Sequence, residues 1–342
     1  MAYGDGLNGL RKNDMDHWVT LRPGGQRFEV EEHESILQAG LKAGLALNYG
    51  CSNGTCGLCR ARRISGDVQS IRHSDYVFKA ADKAQDYVLT CVNSPASDEI
   101  ELEAQVAGGV GEIVDQQIEI RVKGIDQPCE DVLIVKARTP RSQRFRFLAG
   151  QGVRLSLTDN SGEEISRDLP VASCPCDDRN LEFHIRNNGN DDFCQALLHQ
   201  SREVKRLQLV GPVGDFVLPA EITGRLVFIA EETGFAPIRS LVEHAMSLDE
   251  DAPMSLYWLA AQPAGHYMSN LCRSWADFLD DFHYAALTDM PPGTIMDRLD
   301  NDIHDLAEGH CFAAGSKIFL QDLEQSFAAR GLPQHRLNLL KT

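Results

Sequence analysis

The sequence predicts a multidomain α+β protein with three successive parts. In residues 17–106, short alternating strands and one helix surround a loop with three closely spaced cysteines. Residues 112–220 carry short strands of alternating polarity separated by turn residues, which favours a small antiparallel β-barrel. In residues 221–342, apolar strands alternate with helical segments, which predicts a parallel sheet with helices on both faces. A chain of 342 residues is long enough for two or three such domains.

The first part opens with a predicted β-hairpin, because residues 17–21 and 26–30 alternate in polarity on either side of Pro23-Gly24-Gly25. Apolar residues at helical spacing predict a helix from Ser35 to Leu45. Further strands are predicted at 60–64, 68–71, 87–91 and 100–104. The glycine-rich segment Ala107–Glu112 is typical of a linker to the second part.

The chemistry of the first part is concentrated in its cysteines. Cys51, Cys56 and Cys59 form a Cys-x4-Cys-x2-Cys loop, and Cys91 follows at a distance. This is the plant-type spacing for the four ligands of a [2Fe–2S] cluster. A zinc site and ordinary buried cysteines are the alternatives. Zinc sites usually combine two short Cys-x2–4-Cys motifs, and the second motif is missing here, because Cys91 stands alone.

The remaining composition limits the class of protein. No apolar run is long enough to cross a bilayer, and the first sixteen residues lack a secretory signal, so we expect a cytoplasmic protein. The ten cysteines then do not indicate a disulfide framework, and we interpret Cys174-Pro-Cys176 as incidental rather than as a ligand pair. No basic stripe indicates nucleic acid. Residues 221–342 hold 18 acidic and 8 basic residues, a surface suited to solubility or to steering a basic protein partner.

The second and third parts differ in the pattern of their strands. In the second part, strands are predicted at 118–122, 132–137, 145–148, 153–157, 181–185 and 207–210, with one helix from Asp192 to Gln200. The third part begins with a continuous apolar run at 225–230, which favours a strand buried on both faces. Its other predicted elements are a helix at 236–248 and strands at 254–260, 282–287 and 311–314.

At the cysteine loop the chain resembles plant-type ferredoxins, and the first part matches their β-grasp layout. The order of the three parts is similar to that of reductase components of bacterial oxygenases, which fuse such a ferredoxin to a ferredoxin–NADP⁺ reductase-like module. Three further segments carry the resemblance, and they begin at Gly150, Gly211 and Thr233. The resemblance implies a relay in which NAD(P)H reduces FAD and FAD reduces the cluster. The cluster then passes single electrons to a protein partner, an oxygenase or another multicomponent redox enzyme.

The resemblance also places the flavin-binding residues, and it shows where this chain departs from the family. Arg167 stands where the family binds the flavin diphosphate, and guanidinium suits phosphate. Leu169 replaces the tyrosine that stacks on the flavin ring, and Pro170 replaces the serine near N5. Ser173 closes this segment, and Cys194 ends the stretch that replaces Gly-Gly-x-x-Ser at a helix start.

The nucleotide-binding residues implied by the resemblance are Thr233, Gly234 and Pro237 in the turn after the first apolar strand, and Gly315 beside the nicotinamide. Glu231-Glu232 replaces the Gly-Gly pair that lets the backbone approach a pyrophosphate. Two glutamates add bulk and like charge at that place. Two interpretations therefore stay open. The protein is an NAD(P)H-dependent iron–sulfur flavoprotein with unusual contacts, or it is a [2Fe–2S] carrier or docking subunit that has lost nicotinamide binding and possibly flavin binding.

Overall fold

The chain folds as two compact units that divide between Val106 and Ala107. The computed structural model describes residues 17–104, 106–107, 113, 115–141, 143–158, 162–177, 179–187, 189, 191–199, 206–219, 222–248, 252–290, 294–304 and 306–342. Most of the predicted linker at 107–112 lies outside these residues. The predicted boundaries of the barrel and the α/β part, 112–220 and 221–342, remain predictions, because both sheets lie in the second unit. None of the helices in the described ranges is long and apolar enough to cross a membrane.

The first unit is built on a mixed five-stranded sheet. Its elements are β1 (His17–Arg22), β2 (Arg27–Val30), α1 (Ile36–Lys42), β3 (Ala46–Leu47), β4 (Arg60–Ser65), β5 (Val68–Ser70), α2 (Ala80–Ala84), β6 (Tyr87–Leu89), β7 (Asn93–Pro95), β8 (Glu99–Glu103) and, at the boundary, β9 (Val106–Ala107). The strand order is β2-β1-β8-β4-β6. Strand β8 pairs in parallel with β1 and antiparallel with β4, so it lies in the middle of the sheet.

Local signals explain where these elements begin and end. The hydroxyl of Ser35 accepts the backbone N–H of Gln38 at 3.2 Å and caps α1, and the helix ends before Gly44, which has a φ of +73°. The predicted strand from Tyr87 to Cys91 is two residues too long. The chain turns after Leu89, whose carbonyl accepts the N–H of Val92 at 3.4 Å. Cys91 therefore lies in a turn rather than in a strand.

The second unit begins with an antiparallel half-barrel of six strands in the order β13-β12-β15-β10-β11-β14. Its elements are β10 (Gln116–Cys129), β11 (Val132–Arg138), β12 (Gly152–Thr158), β13 (Glu164–Pro170), β14 (Asn180–Arg186), α3 (Asp192–His199) and β15 (Arg206–Val213). Alternate residues of these strands form its apolar core.

Two predictions for this part were incomplete or wrong. The predicted strand at 145–148 is an irregular segment. Phe145 and Phe147 are buried and stack at 5.2 Å, so their alternation imitates a strand. The side chain of Gln116, rather than a neighbouring strand, bonds both the N–H and the carbonyl of Arg146. Strand β13 was missed because its exposed face is charged, as at Asp168.

The second unit continues with a parallel five-stranded sheet in the order β18-β17-β16-β19-β20. Its elements are β16 (Leu226–Glu231), α4 (Phe235–Ser247), β17 (Met254–Ala260), α5 (Ser269–Phe278), β18 (Phe282–Thr288), α6 (Thr294–Asp302), β19 (His310–Gly315), α7 (Lys317–Ala329) and β20 (Leu337–Lys341). Two apolar clusters cover its two faces, as expected for strands buried on both sides. The last strand, β20, was not predicted from the sequence.

Candidate functional site

The pairing of β4 with β6 brings two of the four predicted cluster ligands together. Arg60 pairs with Leu89, and the N–H of Thr90 donates to the carbonyl of Cys59 at 3.1 Å. Cys59 precedes β4 and Cys91 follows β6, so this register sets their side chains side by side. Their sulfur atoms lie 3.2 Å apart, and both residues are buried.

The other two cysteines are joined through the backbone of the loop. The N–H groups of Thr55 and Cys56 both donate to the sulfur of Cys51 at 3.3 Å, and the N–H of Cys51 donates to the sulfur of Cys56 at 3.3 Å. Gly54 and Gly57 have φ values of +80° and +74°, a conformation that favours glycine. The loop therefore turns its N–H groups inward, towards sulfur.

This arrangement fits a two-iron cluster better than a single zinc ion. The cysteines form two pairs, Cys51 with Cys56 and Cys59 with Cys91. A [2Fe–2S] cluster needs two thiolates on each iron, whereas a structural zinc ion needs four ligands around one centre.

The surroundings lower the pKa of one thiol in each pair and raise the pKa of its partner, Cys56 through burial and Cys91 through its hydrogen bond with Cys59. The hydrogen bond from Cys91, acting against burial, lowers the pKa of Cys59 to about 7. Burial opposes ionisation of Cys51, but hydrogen bonds from Thr55 and the loop backbone lower its pKa to about 6. Leu58, at the tip of the loop, is 53% exposed, so the buried sulfurs lie close to the protein surface.

The predicted flavin residues Arg167 and Cys194 are in contact, with the guanidinium 3.5 Å from the sulfur, and the carboxylate of Asp191 bonds both residues. The guanidinium of Arg167 pairs with Asp191 and also donates to the carbonyl of Arg186 at 3.3 Å. The other oxygen of Asp191 accepts the N–H of Cys194 at 2.9 Å, at the start of α3. Asp191 was not predicted as a partner of Arg167, although an aspartate before a helix is a common N-cap.

Leu169 and Pro170 line a cavity of about 210 Å³ in the second unit. Gly150, Val153, Phe216, Thr233 and Leu340 line the same cavity. Ser173 does not line this cavity. Its hydroxyl accepts the N–H of Glu182 at 3.2 Å, and its carbonyl accepts the hydroxyl of Ser240 at 2.8 Å, so it ties β14 to α4. Cys174 and Cys176, which we interpreted as incidental, are joined by a disulfide.

A buried polar network beside this cavity was missed by sequence analysis. Glu182 pairs with Arg239 and, at 3.0 Å, with the ring of His184, whose other nitrogen lies 2.9 Å from the hydroxyl of Tyr267. Burial opposes ionisation, but the hydrogen bond from His184 and the charge of Arg239 lower the pKa of Glu182 to about 2. No local spacing signals this network, because Glu182 and His184 on β14 meet Arg239 of α4 and Tyr267, which are distant in sequence.

The turn after β16 contains the predicted nucleotide residues, and it is tightly packed. A Cβ atom at Gly234 would lie 2.1 Å from the carbonyl oxygen of Ala314, so the turn lies directly against β19. A Cβ atom at Gly315 would lie 2.6 Å from the Cβ atom of Glu231. Thr233 lines the cavity, whereas Pro237 is buried in the first turn of α4.

The two glutamates of this turn use the backbone donors around it. Glu231 accepts the N–H of Ser316 at 2.6 Å, and Glu232 accepts the N–H of Ala261 at 2.8 Å. Glu232 also lies 3.4 Å from the guanidinium of Arg186. The residues at this turn therefore do not fit a pyrophosphate, because two neighbouring backbone donors are bonded by carboxylates and these carboxylates add like charge at that place.

Comparison with known proteins finds one family match in the first unit and relatives that cover most of the chain. Residues 19–96 match the family model of the 2Fe-2S iron-sulfur cluster binding domain. The chain is 28% identical to the CDP-6-deoxy-L-threo-D-glycero-4-hexulose-3-dehydrase reductase of Yersinia pseudotuberculosis, over 93% of this chain and 96% of that protein. It is 26% identical to the terephthalate 1,2-dioxygenase reductase component 1 of Comamonas sp, over 93% and 95% of the two chains.

Two solved structures share the fold. The ferredoxin reductase in carbazole 1,9a-dioxygenase superposes with a TM-score of 0.57 at 21% identity, covering 95% of this chain and 97% of that chain. A ferredoxin NADP+ reductase from Neisseria gonorrhoeae, with bound FAD and NADP, superposes with a TM-score of 0.55 at 17% identity. It covers 66% of this chain and 98% of its own.

Proposed function

We propose that this chain, a 2Fe-2S ferredoxin domain joined to a ferredoxin reductase-like module, is an electron-transfer protein whose working centre is a [2Fe–2S] cluster. The observation that carries the proposal is the arrangement of Cys51, Cys56, Cys59 and Cys91 as two thiol pairs in a domain of the 2Fe-2S family. A bound cluster accepts and releases one electron at a time.

The residues of the loop hold and adjust this centre. The four cysteines supply the thiolates, two for each iron. Backbone N–H groups of Thr55 and Cys56 point at the sulfur of Cys51, and such hydrogen bonds stabilise negative charge and influence the reduction potential. Burial of Cys51, Cys59 and Cys91 keeps water away from the sulfurs, while the exposed Leu58 leaves the loop within reach of a partner protein.

The relatives indicate what kind of partner is served. Their names describe reductase components of terephthalate dioxygenase and propane monooxygenase, and a reductase that serves a hexulose dehydrase. We therefore infer that the partner is an oxygenase or another multicomponent redox enzyme. The same names, together with the fold, support an NAD(P)H-to-FAD-to-cluster relay as a second candidate. The residues of the turn after β16 argue against that relay, because they do not fit a pyrophosphate.

Anaerobic purification followed by iron and sulfide analysis tests the proposal. We expect two irons and two sulfides per chain, visible iron–sulfur absorption, and a one-electron paramagnetic signal after reduction with dithionite. A single zinc ion, or iron without acid-labile sulfide, would contradict it. Reoxidation of the reduced protein by an oxygenase component from a relative's system would then test the partner class.

A further inference from the structure

The parallel sheet of the second unit has a topological switch point between β16 and β19. From these two neighbouring strands the sheet grows outward in opposite directions, to β17 and β18 on one side and β20 on the other. In open α/β sheets, ligands bind at the carboxyl ends of the strands that flank such a point. Two backbone donors near this point are the N–H groups of Ser316, at the start of α7, and Ala261, after β17.

Both donors are bonded by side chains of the turn itself. Glu231 reaches across the switch point to the N–H of Ser316 at 2.6 Å, and Glu232 reaches the N–H of Ala261 at 2.8 Å. The Glu232 side chain is 15% exposed and lies against Arg186, so it is held rather than loosely solvated. A ligand phosphate at this point would have to displace both carboxylates and tolerate their charge.

The backbone at Glu232 supports a specific role for its carboxylate. Glu232 has a φ of +53°, in the left-handed region that favours glycine and is unfavourable for a glutamate. Such a conformation persists only where surrounding contacts hold it. Here the carboxylate is bonded to Ala261, and the carbonyl of Glu232 accepts the indole N–H of Trp258 at 3.0 Å.

The half-barrel repeats the same arrangement at a second place. Arg167 is the residue of β13 suited to a phosphate, and the start of α3 supplies N–H donors. Asp191 occupies the space between them, because it pairs with Arg167 and accepts the N–H of Cys194. Two separate anion positions of the second unit are thus filled by acidic side chains of the chain itself.

We propose that Asp191, Glu231 and Glu232 are built-in anions that fill the phosphate-binding positions of the reductase-like module. The module then binds neither FAD nor NAD(P)H, and it receives no hydride. Electrons must reach the cluster one at a time from a reduced redox protein of the ferredoxin or flavodoxin class. In that step the donor protein loses one electron and the cluster gains it. The assignment of these three carboxylates concerns the second unit alone, whereas the one-electron route to the cluster rests on the proposed function.

The wild-type protein gives the first test. Protein expressed in riboflavin-replete cells should release no flavin on denaturation. Addition of NADH, NADPH or ADP at about 1 mM should leave the melting temperature unchanged, because a ligand that binds the folded state raises it. One FAD per chain, or bleaching of the visible spectrum by NADH or NADPH without oxygen, would overturn the proposal.

Two double variants test whether the glutamates are the cause. Glu231→Gly with Glu232→Gly restores the backbone freedom of the turn, and Glu231→Gln with Glu232→Gln removes only the charge. We expect ADP and NADH to bind at least one variant about tenfold or more tightly than wild type, measured by calorimetry. Glu324→Gln with Asp277→Asn, two exposed acids on α7 and α5, removes the same net charge away from the turn and should not change binding.

Asp191→Ser tests the second position in the same way, with FAD as the probe and quenching of flavin fluorescence as the measurement. Folded variants that gain no affinity for ADP, NADH or FAD would overturn the assignment of these three side chains. The iron and sulfide content of each variant should equal that of wild type. A wild-type protein without iron and sulfide would instead contradict the proposed function. A failure of that proposal can therefore be distinguished from a failure of the present inference.

Discussion

The cysteine loop of the first unit and the turn after β16 in the second unit are built from similar parts. Each is a glycine-containing turn at strand ends where backbone N–H groups point at acidic side-chain atoms; the cysteine loop supplies its own N–H groups, whereas the turn after β16 accepts those of Ser316 and Ala261. In the cysteine loop those atoms are thiol sulfurs, which need a metal centre to complete the site. In the turn after β16 they are carboxylates, which complete the site by themselves. A fold can thus keep a binding position while its own side chains fill it.

The largest expected effect is the loss of the cluster in a Cys91→Ser variant. Cys91 and Cys59 form one of the two thiol pairs, so removing one sulfur should leave an iron with only one of its two cysteine ligands and abolish the visible iron–sulfur absorption. Cys56→Ser should do the same through the other pair. Cys129→Ser, at a half-buried cysteine of the second unit, is the control. An unchanged iron content in Cys91→Ser would contradict the interpretation of the cysteine loop as a metal-binding site.

A large loss of stability is expected for Gly234→Ala. The new Cβ atom would lie 2.1 Å from the carbonyl oxygen of Ala314, and backbone must move to relieve this contact. Overpacking of this kind should cost about 3 kcal/mol in the free energy of unfolding of the second unit, measured by denaturant titration. Gly124→Ala, at a glycine of β10 with open space around it, should change stability by less than about 0.5 kcal/mol. Equal effects would mean that the turn is not packed against β19.

A more moderate effect is expected for Gly57→Ala in the cysteine loop. Gly57 has a φ of +74°, and a Cβ atom there would lie 2.1 Å from the ring of Tyr76, which must move. We expect chelators to remove the cluster about tenfold faster, as for other changes that disturb the support of metal ligands. Gly25→Ala is the control, because Gly25 also has a positive φ, +77°, but a Cβ atom there would meet no other atom. This variant has the same backbone strain without a steric contact, and it should leave the chelation rate unchanged. An equal rise in both variants would assign the effect to strain rather than to Tyr76.

The smallest expected effect separates strain from contact at Glu232. Glu232→Gly and Glu232→Ala both lose the carboxylate, but only glycine relieves the positive φ, so the glycine variant should be about 1 kcal/mol more stable. At Glu231, where φ is −107°, the order should reverse, with alanine more stable than glycine by about 0.5 kcal/mol or more. Urea denaturation measures both differences. The same order at both positions would argue against the backbone conformation on which the built-in anions depend.

Much of the fold could be predicted from local pattern. The continuous apolar run at residues 225–230 indicated a strand buried on both faces, and the structure confirms it as β16. The prediction failed where polar side chains replaced the usual signal. Strand β13 has a charged face, and residues 145–148 have the polarity of a strand, but a glutamine side chain bonds the backbone of Arg146. Strand β20 was not predicted, because it lies at the edge of the sheet next to β19 and its residues do not alternate between buried and exposed.

By itself the sequence predicted a [2Fe–2S] centre, because the spacing of Cys51, Cys56 and Cys59 within one loop is a local property of the chain. It also indicated that Glu231 and Glu232 were unusual in their turn. Only the tertiary structure decided what those carboxylates do. Their partners Ser316 and Ala261 follow other strands, and Asp191 meets Arg167 across the half-barrel. Contacts between residues distant in sequence depend on strand order and register, which no local pattern specifies.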